Sequence, residues 1–114
     1  MLKKQNRLSS KFEFNITKKY GQKLSCGSLY MFYLKPRNYI GPTKIGFVVT
    51  TRMDKRATKR NRLKRIFREI FRQNFDKIAN GLWIAVYPTS TSMDKTYEEI
   101  STDTNKLLQK IFVA

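Results

Sequence analysis

An α+β sandwich, a small sheet covered by helices, is predicted by three features of the chain. Two six-residue apolar runs, Leu29-Tyr30-Met31-Phe32-Tyr33-Leu34 and Leu82-Trp83-Ile84-Ala85-Val86-Tyr87, read as strands and are too short for helices. From Ala57 the apolar period changes from 2 to 3.6. The element order that results is helix, two or three strands, helix, strand, helix. At 114 residues and 40% hydrophobic content the chain is long enough for one ordinary core and too short for two, so a single domain spanning 1–114 is expected.

Lys3, Lys4, Arg7 and Lys11 form a basic N-terminal arm. Ser9-Ser10 offer an N-cap for a helix that runs to about Tyr20, with Gly21 as its stop. Phe12, Ile16 and Tyr20 recur at i, i+4, i+8 and are the expected core stripe. Phe14 falls about 160° from the centre of that stripe, which makes it a second contact face or an exposed ring. Residues 22 to 28 are polar and form at best a short edge strand. In the run 29–34, Leu29, Met31 and Tyr33 alternate with Tyr30, Phe32 and Leu34. One set can pack against helices; the other, with two rings, needs different cover. Residues 36 to 42 read as a loop, and Lys44 to Thr51 as the antiparallel partner strand, in a hairpin with a long turn.

Leu63, Ile66, Phe67, Ile70, Phe71 and Ile78 share one face of an amphipathic helix about five turns long, with Phe75 on its flank and Asn80-Gly81 as its stop. With Leu63 at zero and 100° per residue, the apolar stripe centres near 30°, and Arg62, Arg65, Arg68 and Arg72 lie between about 140° and 260°. The run 82–87, ended by Pro88, reads as a strand buried on both sides and interior to its sheet. Thr91-x-x-Asp94 has the form of a capping box and is expected to open the last helix, with Tyr97, Ile100, Thr104, Leu107, Leu108 and Ile111 along one side.

Twenty-four Lys and Arg against eight Asp and Glu leave a net charge of +16, which a polyanion would relieve. Half of that excess, +8, lies between Arg52 and Arg72, where ten basic residues meet only Asp54 and Glu69. From Arg60 to Arg72 arginine outnumbers lysine five to one, and the planar guanidinium suits bidentate phosphate contact better than a merely solvated face requires. Glu69 is placed to pair with Arg65 four residues earlier, and most of the face stays uncompensated. Lys59, Arg60 and Asn61 lie in or near the first turn, where free N–H groups also favour phosphate. Nucleic acid is therefore the expected partner; Phe14 and Phe32 read equally as packing rings or as exposed rings, and as exposed rings they point to RNA, whose unstacked bases lie on aromatic side chains.

Other function classes are excluded or weakened by composition. The chain has one cysteine, Cys26, and no histidine, so an intramolecular disulfide and a His-based triad are impossible, and Cys26 reads as a small apolar filler. The carboxylates are scattered except for Glu98-Glu99, which point about 100° apart on a helix and form no acid–base pair. No apolar run approaches the roughly 20 residues of a membrane span, and no signal-peptide core follows the N-terminus, so a soluble, cytoplasmic protein is expected.

Ala57-Thr58-Lys59-Arg60-Asn61-Arg62-Leu63-Lys64-Arg65, followed by Arg68-Glu69, resembles the basic helix of the bacterial ribonuclease P protein family. Asn6-Arg7-Leu8, Ile45-Gly46-Phe47 and Thr96-Tyr97-Glu98-Glu99 fall in the family's order and approximate spacing, so the resemblance covers nearly the whole chain. It implies a mixed four-stranded sheet in the order α-β-β-β-α-β-α, with a left-handed βαβ crossover through the basic helix, of the kind shared with a ribosomal-protein domain. It also implies an endoribonuclease whose catalytic centre and Mg²⁺ ions belong to an RNA subunit, with water attacking the precursor-tRNA phosphodiester to release the 5′ leader. The expected partners are that RNA and precursor tRNA, with no membrane and no obligate protein partner.

Carried over by position, Lys59, Arg60, Asn61, Arg62, Lys64, Arg65 and Arg68 would contact the RNA subunit. Phe14, Lys18, Phe32 and Arg52 would line the leader-binding cleft. Lys18 stands where the family has a second aromatic, and the loop from Thr51 to Arg56 lacks the family's glycine and is one residue longer. A non-catalytic RNA-binding protein, ribosomal or an assembly factor, is the main alternative. A metal-dependent nuclease would need clustered carboxylates, and a helix-turn-helix would need a short helix before Ala57.

Overall fold

The first helix, α1 (Lys11–Tyr20), starts where the Ser10 hydroxyl accepts the Glu13 N–H while the Glu13 carboxylate reaches back to the Ser10 N–H. This capping box satisfies two donors that the first turn leaves open. Gly21 ends the helix, its N–H donating to the Thr17 carbonyl. The structure is a computed structural model and describes residues 4–112; Lys3 of the N-terminal arm lies outside them. The remaining elements are β1 (Gln22–Ser25), β2 (Leu29–Leu34), β3 (Lys44–Phe47), α2 (Ala57–Asn74), β4 (Trp83–Pro88) and α3 (Tyr97–Leu108), joined by loops and short 3₁₀ turns.

The four strands form one mixed sheet in the order β1-β2-β4-β3. β2 pairs antiparallel with β1 and with β4, whereas β3 pairs parallel with β4. The hairpin expected between the strands at 29–34 and 44–51 does not form, because β4 lies between them. β4 carries Ile84, Ala85 and Val86, all buried, and gains cover on both faces only in the interior. β3 is short, carries Lys44 and Gly46, and takes the edge. A parallel β3–β4 pair needs a crossover, which α2 supplies.

Register fixes the two faces. Leu24, Met31, Val86 and Phe47 align across one face, with Tyr33, Ile84 and Ile45 in the next row. Against this face pack Leu63, Phe67, Ile70 and Phe71 of α2 and Ile100, Leu107 and Leu108 of α3. The Phe47 and Phe71 rings meet edge to face at 5.3 Å. The apolar side expected for α2 is the buried one. The helix stops at Asn74, however, and a 3₁₀ turn (Phe75–Lys77) carries the chain to Ile78, which is buried outside the helix and bridges to Phe112.

Two further expectations are corrected. Residues 90–94 form a 3₁₀ turn, and α3 is opened instead by Thr96, whose hydroxyl accepts the Glu99 N–H while Glu99 reaches back to the Thr96 N–H. Asp94 has one methylene fewer with which to close such a ring, and Thr91 is engaged elsewhere, donating to the Gly27 carbonyl. The stripe Phe12–Ile16–Tyr20 is not core: Phe12 is 67% and Tyr20 62% exposed. α1 lies on the second sheet face with Thr17 fully buried and Glu13, Phe14 and Ile16 partly covered. The reason is steric, since Gly46 leaves room for the Phe14 ring where a Cβ would collide with it.

Truncating the two rings by mutation separates these roles. Phe67→Ala should destabilise the fold by about 3–5 kcal/mol, with a lower urea midpoint, whereas Phe12→Ala should stay within about 0.5 kcal/mol of wild type. A loss at Phe12 as large as that at Phe67 would contradict the packing of α1.

Candidate RNA interface

On the second sheet face the side chains run in rows. Gly46, Ala85, Phe32 and Lys23 align across the four strands, and Tyr87 and Tyr30 pair in the next row. α1 crosses this face. The Phe14 ring sits over Gly46, and the Glu13 carboxylate meets the Lys44 ammonium at 2.9 Å. α1 leaves the Tyr87 end of the sheet partly open. There Tyr30 and Tyr87 stack at 5.1 Å with planes 5° apart, and Phe32 stands edge-on to both, at 6.1 and 5.9 Å.

Ammonium groups cover this aromatic cluster. Lys18 Nζ lies 5.7 Å from the Tyr87 ring centre, and Lys23 Nζ lies 4.9 Å from Tyr30 and 6.0 Å from Phe32. Burial, with Tyr30 beside it, raises the Tyr87 phenol above its ordinary 10, so the ring is neutral at pH 7. Stacked faces that accept bases, with cations that accept phosphates, are what a single strand of RNA requires.

Of the expected cleft residues, the fold brings Phe32 and Lys18 together through Tyr87. Phe14 shares the face but stands two strands from Phe32, about 10 Å across the sheet, with its ring half-buried on Gly46. Arg52 lies exposed in the loop that leaves β3 near that end of the sheet. No local pattern marks Tyr87 or Lys23 as part of such a cluster. Tyr87 belongs to a run with the apolar pattern of a strand buried on both sides, and only its register opposite Tyr30 places it here.

The basic side of α2 divides in two. Asn61, Lys64, Arg65 and Arg68, with Thr58, surround a shallow depression of about 460 Å³. Arg65 and Arg68 make no ion pair or hydrogen bond among the described residues. The flanking arginines are engaged by backbone: Arg60 Nη1 donates to the Asp54 carbonyl at 2.8 Å, and Arg62 Nη2 reaches the Lys95 carbonyl at 3.5 Å. Each is half-buried and braces α2 against a neighbouring segment. Lys59 is exposed in the first turn. Glu69 pairs with Arg72, at 2.6 Å, not with Arg65 as the spacing allowed. The guanidinium of Arg72 holds the Glu69 carboxyl below its ordinary value, and Arg65 stays uncompensated.

The loop before α2 carries its own charge pair. Side-chain and backbone hydrogen bonds from Arg56 bring the Asp54 carboxyl down to about 2. Asp103, hydrogen-bonded by Ser28 and Lys95, is also lowered. Glu13, Asp54, Glu69 and Asp103 therefore each neutralise a specific cation and leave the α2 depression without an acid.

A match to the ribonuclease P family model over residues 2–112 decides the family. The chain belongs to the ribonuclease P protein family. A ribonuclease P protein component from a Pseudanabaena species is 34% identical over 110 residues, covering 96% of this chain and 94% of that one. The component from Finegoldia magna is 35% identical over 94 residues, covering 82% and 80%. Among solved structures, the ribonuclease P protein of Thermotoga maritima superposes with a TM-score of 0.80 at 29% identity, over 94% of this chain and 98% of that one. The Staphylococcus aureus protein, at 22% identity, has the same fold, with a TM-score of 0.86 over 96% and 100%. The mixed sheet with three helices is the family fold. Family members are protein components of a ribonucleoprotein, and processing of tRNA 5′ ends is their role.

The Glu13–Lys44 pair, which anchors α1 beside the aromatic cluster, makes a pH test. Burial alone would raise the Glu13 carboxyl, but hydrogen bonds from Lys44 and from Ser10 and Ser9 outweigh it and leave the group below 4.5. A carboxyl lowered by folding contributes stability above its unfolded pKa and loses it as pH falls through the folded value. Glu13→Gln should therefore lower the melting temperature at pH 7, and the gap to wild type should close as pH drops below about 4.5. A gap that persisted unchanged to pH 3 would refute the linkage.

Proposed function

We propose that this chain, as the protein subunit of ribonuclease P, docks the catalytic RNA on the Asn61–Arg68 side of α2 and holds the 5′ leader of precursor tRNA on the Tyr30–Phe32–Tyr87 face. The observation that carries the reading is the separation of two chemistries: unpaired guanidinium groups on a helix exterior, and stacked rings under ammonium groups on an open sheet face. The first suits folded RNA, approached through its phosphates. The second suits an unpaired strand, where stacking contributes roughly 1–3 kcal/mol per base.

The reaction itself is assigned to the RNA. The protein's carboxylates that have partners meet cations singly, at Lys44, Arg56, Arg72 and Lys95, and among the described residues no three acidic or thiol groups converge on one point. The Mg²⁺ ions of hydrolysis would be held mainly by the RNA subunit. What this chain contributes is positioning: the α2 side fixes it on the RNA, and the cleft keeps the leader extended away from the scissile phosphate. A cytoplasmic location fits this work, and no described helix is long and apolar enough to cross a membrane.

Reconstitution tests the proposal. Added to its RNA subunit at low magnesium, the protein should raise cleavage of a leader-bearing precursor tRNA; absence of stimulation would overturn the reading in favour of an RNA-binding assembly factor. Arg65→Ala should weaken RNA-subunit binding and lower the slope of log K against log salt by about 1. Phe32→Ala should instead weaken binding of leader-bearing substrate by about tenfold and leave leaderless tRNA unchanged, consistent with one lost stacking contact. Equal losses for both substrates would remove the cleft from the leader path.

A further inference from the structure

β3 is an open edge of the sheet, and its hydrogen-bonding alternates. The Lys44 N–H donates to Leu82 and the Val48 N–H to Val86, at 2.8 and 2.9 Å, so residues 44, 46 and 48 turn toward β4. Residues 45 and 47 consequently turn outward. The Ile45 carbonyl accepts the Leu8 N–H at 3.0 Å, where the N-terminal segment bridges β3 through Arg7 and Ile45. The segment then departs for the α1 cap at Ser10. Phe47, the next residue whose N–H and carbonyl turn outward, lines the gap and bonds to no backbone beyond the sheet among the described residues.

That gap is a cleft of about 290 Å³ lined by Arg7, Leu8, Ser9, Ile45, Gly46, Phe47 and Arg68. Leu8 and Ile45 are buried and give it an apolar wall. Arg68 reaches it from α2 and makes no ion pair or hydrogen bond among the described residues. Its acidic neighbour Glu69 is held by Arg72 and Gln73. Arg68 also borders the α2 depression, and Gly46 lies under Phe14 on the second face. The cleft therefore sits on the rim between the two proposed RNA surfaces.

We propose that this cleft binds one unstacked nucleotide, its base edge hydrogen-bonded to the Phe47 N–H and carbonyl and its phosphate held by Arg68. The inference rests on the reading of Arg68 as an RNA contact and adds a site for a single base. An adjacent donor and acceptor are what the edge of a nucleobase complements, and a guanidinium binds a phosphate through its fork. The volume is near the lower limit of small-ligand sites, about 300 Å³, which suits a mononucleotide. An extended peptide adding to the edge would need several consecutive outward residues. Here only Phe47 remains between the Leu8 bridge and the loop after Val48.

Amide and guanidinium NMR of the full chain, titrated with a nucleoside 5′-monophosphate, tests the site. Saturable shifts are expected at the Phe47 amide and Arg68 Nε, and inorganic phosphate should move Arg68 without Phe47. Arg68→Gln should weaken the monophosphate by about tenfold, as expected for loss of a charged hydrogen bond, whereas Lys110→Gln, removing the same charge elsewhere, should leave it unchanged. No saturable shift at Phe47 up to about 10 mM, or equal weakening by both variants, would overturn the proposal. Protection of the Phe47 amide from exchange by the RNA subunit alone would assign the nucleotide to that RNA; protection only by a leader-bearing tRNA would assign it to the substrate. Protection by neither would restrict the site to free nucleotides and overturn its RNA role. Arg65→Ala binding to the RNA subunit reports on the docking reading separately, so failure of one does not mask failure of the other.

Discussion

Gly46 sets where α1 can lie. A Cβ there would meet the Phe14 ring and the Leu8 carbonyl, so the bare backbone of β3 lets an aromatic side chain press directly on the sheet. With Phe14 seated, Glu13 reaches Lys44, Thr17 is sealed in the interface, and Phe12 and Tyr20 turn to solvent. A ten-residue helix is only about 15 Å long, too short to cover a face built from four strands. The uncovered part is the Tyr30–Phe32–Tyr87 cluster. The candidate leader surface thus exists because α1 is short and is held toward the opposite part of the face.

The acidic residues explain where charge is left over. Glu13 ties α1 to β3, Asp54 ties the loop to the start of α2, Glu69 ties down Arg72, and Asp103 joins Ser28 to Lys95 near the start of α3. Each ion pair joins or stiffens particular segments, and none meets Arg65 or Arg68. Backbone carbonyls take Arg60 and Arg62 in the same structural sense. An arginine-rich helix is therefore not one uniform electrode. Its flanks brace the fold, and its centre keeps an uncompensated positive field that a polyanion can satisfy.

The cleft beside Phe47 extends this division of labour to the edge of the sheet. An exposed strand edge is usually a hazard for unwanted pairing. Here the N-terminal segment blocks the edge at Ile45, Arg68 places a positive charge beside the remainder, and Phe47 is the outward-turned strand residue that lines the recess. The same backbone that supports Phe14 on one face thus contributes to a charged recess at the rim.

Local physics made much of this readable in the chain. The Ser10 cap, the Gly21 stop, the span of β2, β4 to within one residue at each end, the buried side of α2 and the outward side with Arg65 and Arg68 follow from period, capping and charge, all of which act within a few residues. Tertiary structure alone decided the strand order, the buried flank of α1, the joining of Tyr87 to Tyr30 and Phe32, and the capture of Arg60 and Arg62 by carbonyls of other segments. Those outcomes depend on residues far apart in the chain meeting in one register. The spacing of Phe12, Ile16 and Tyr20 carries an apolar period but no information that Gly46 will admit Phe14 instead. The basic helix was therefore legible as a candidate RNA-facing element, while the contacts around it decided which of its arginines meet backbone carbonyls and which stay unpaired among the described residues.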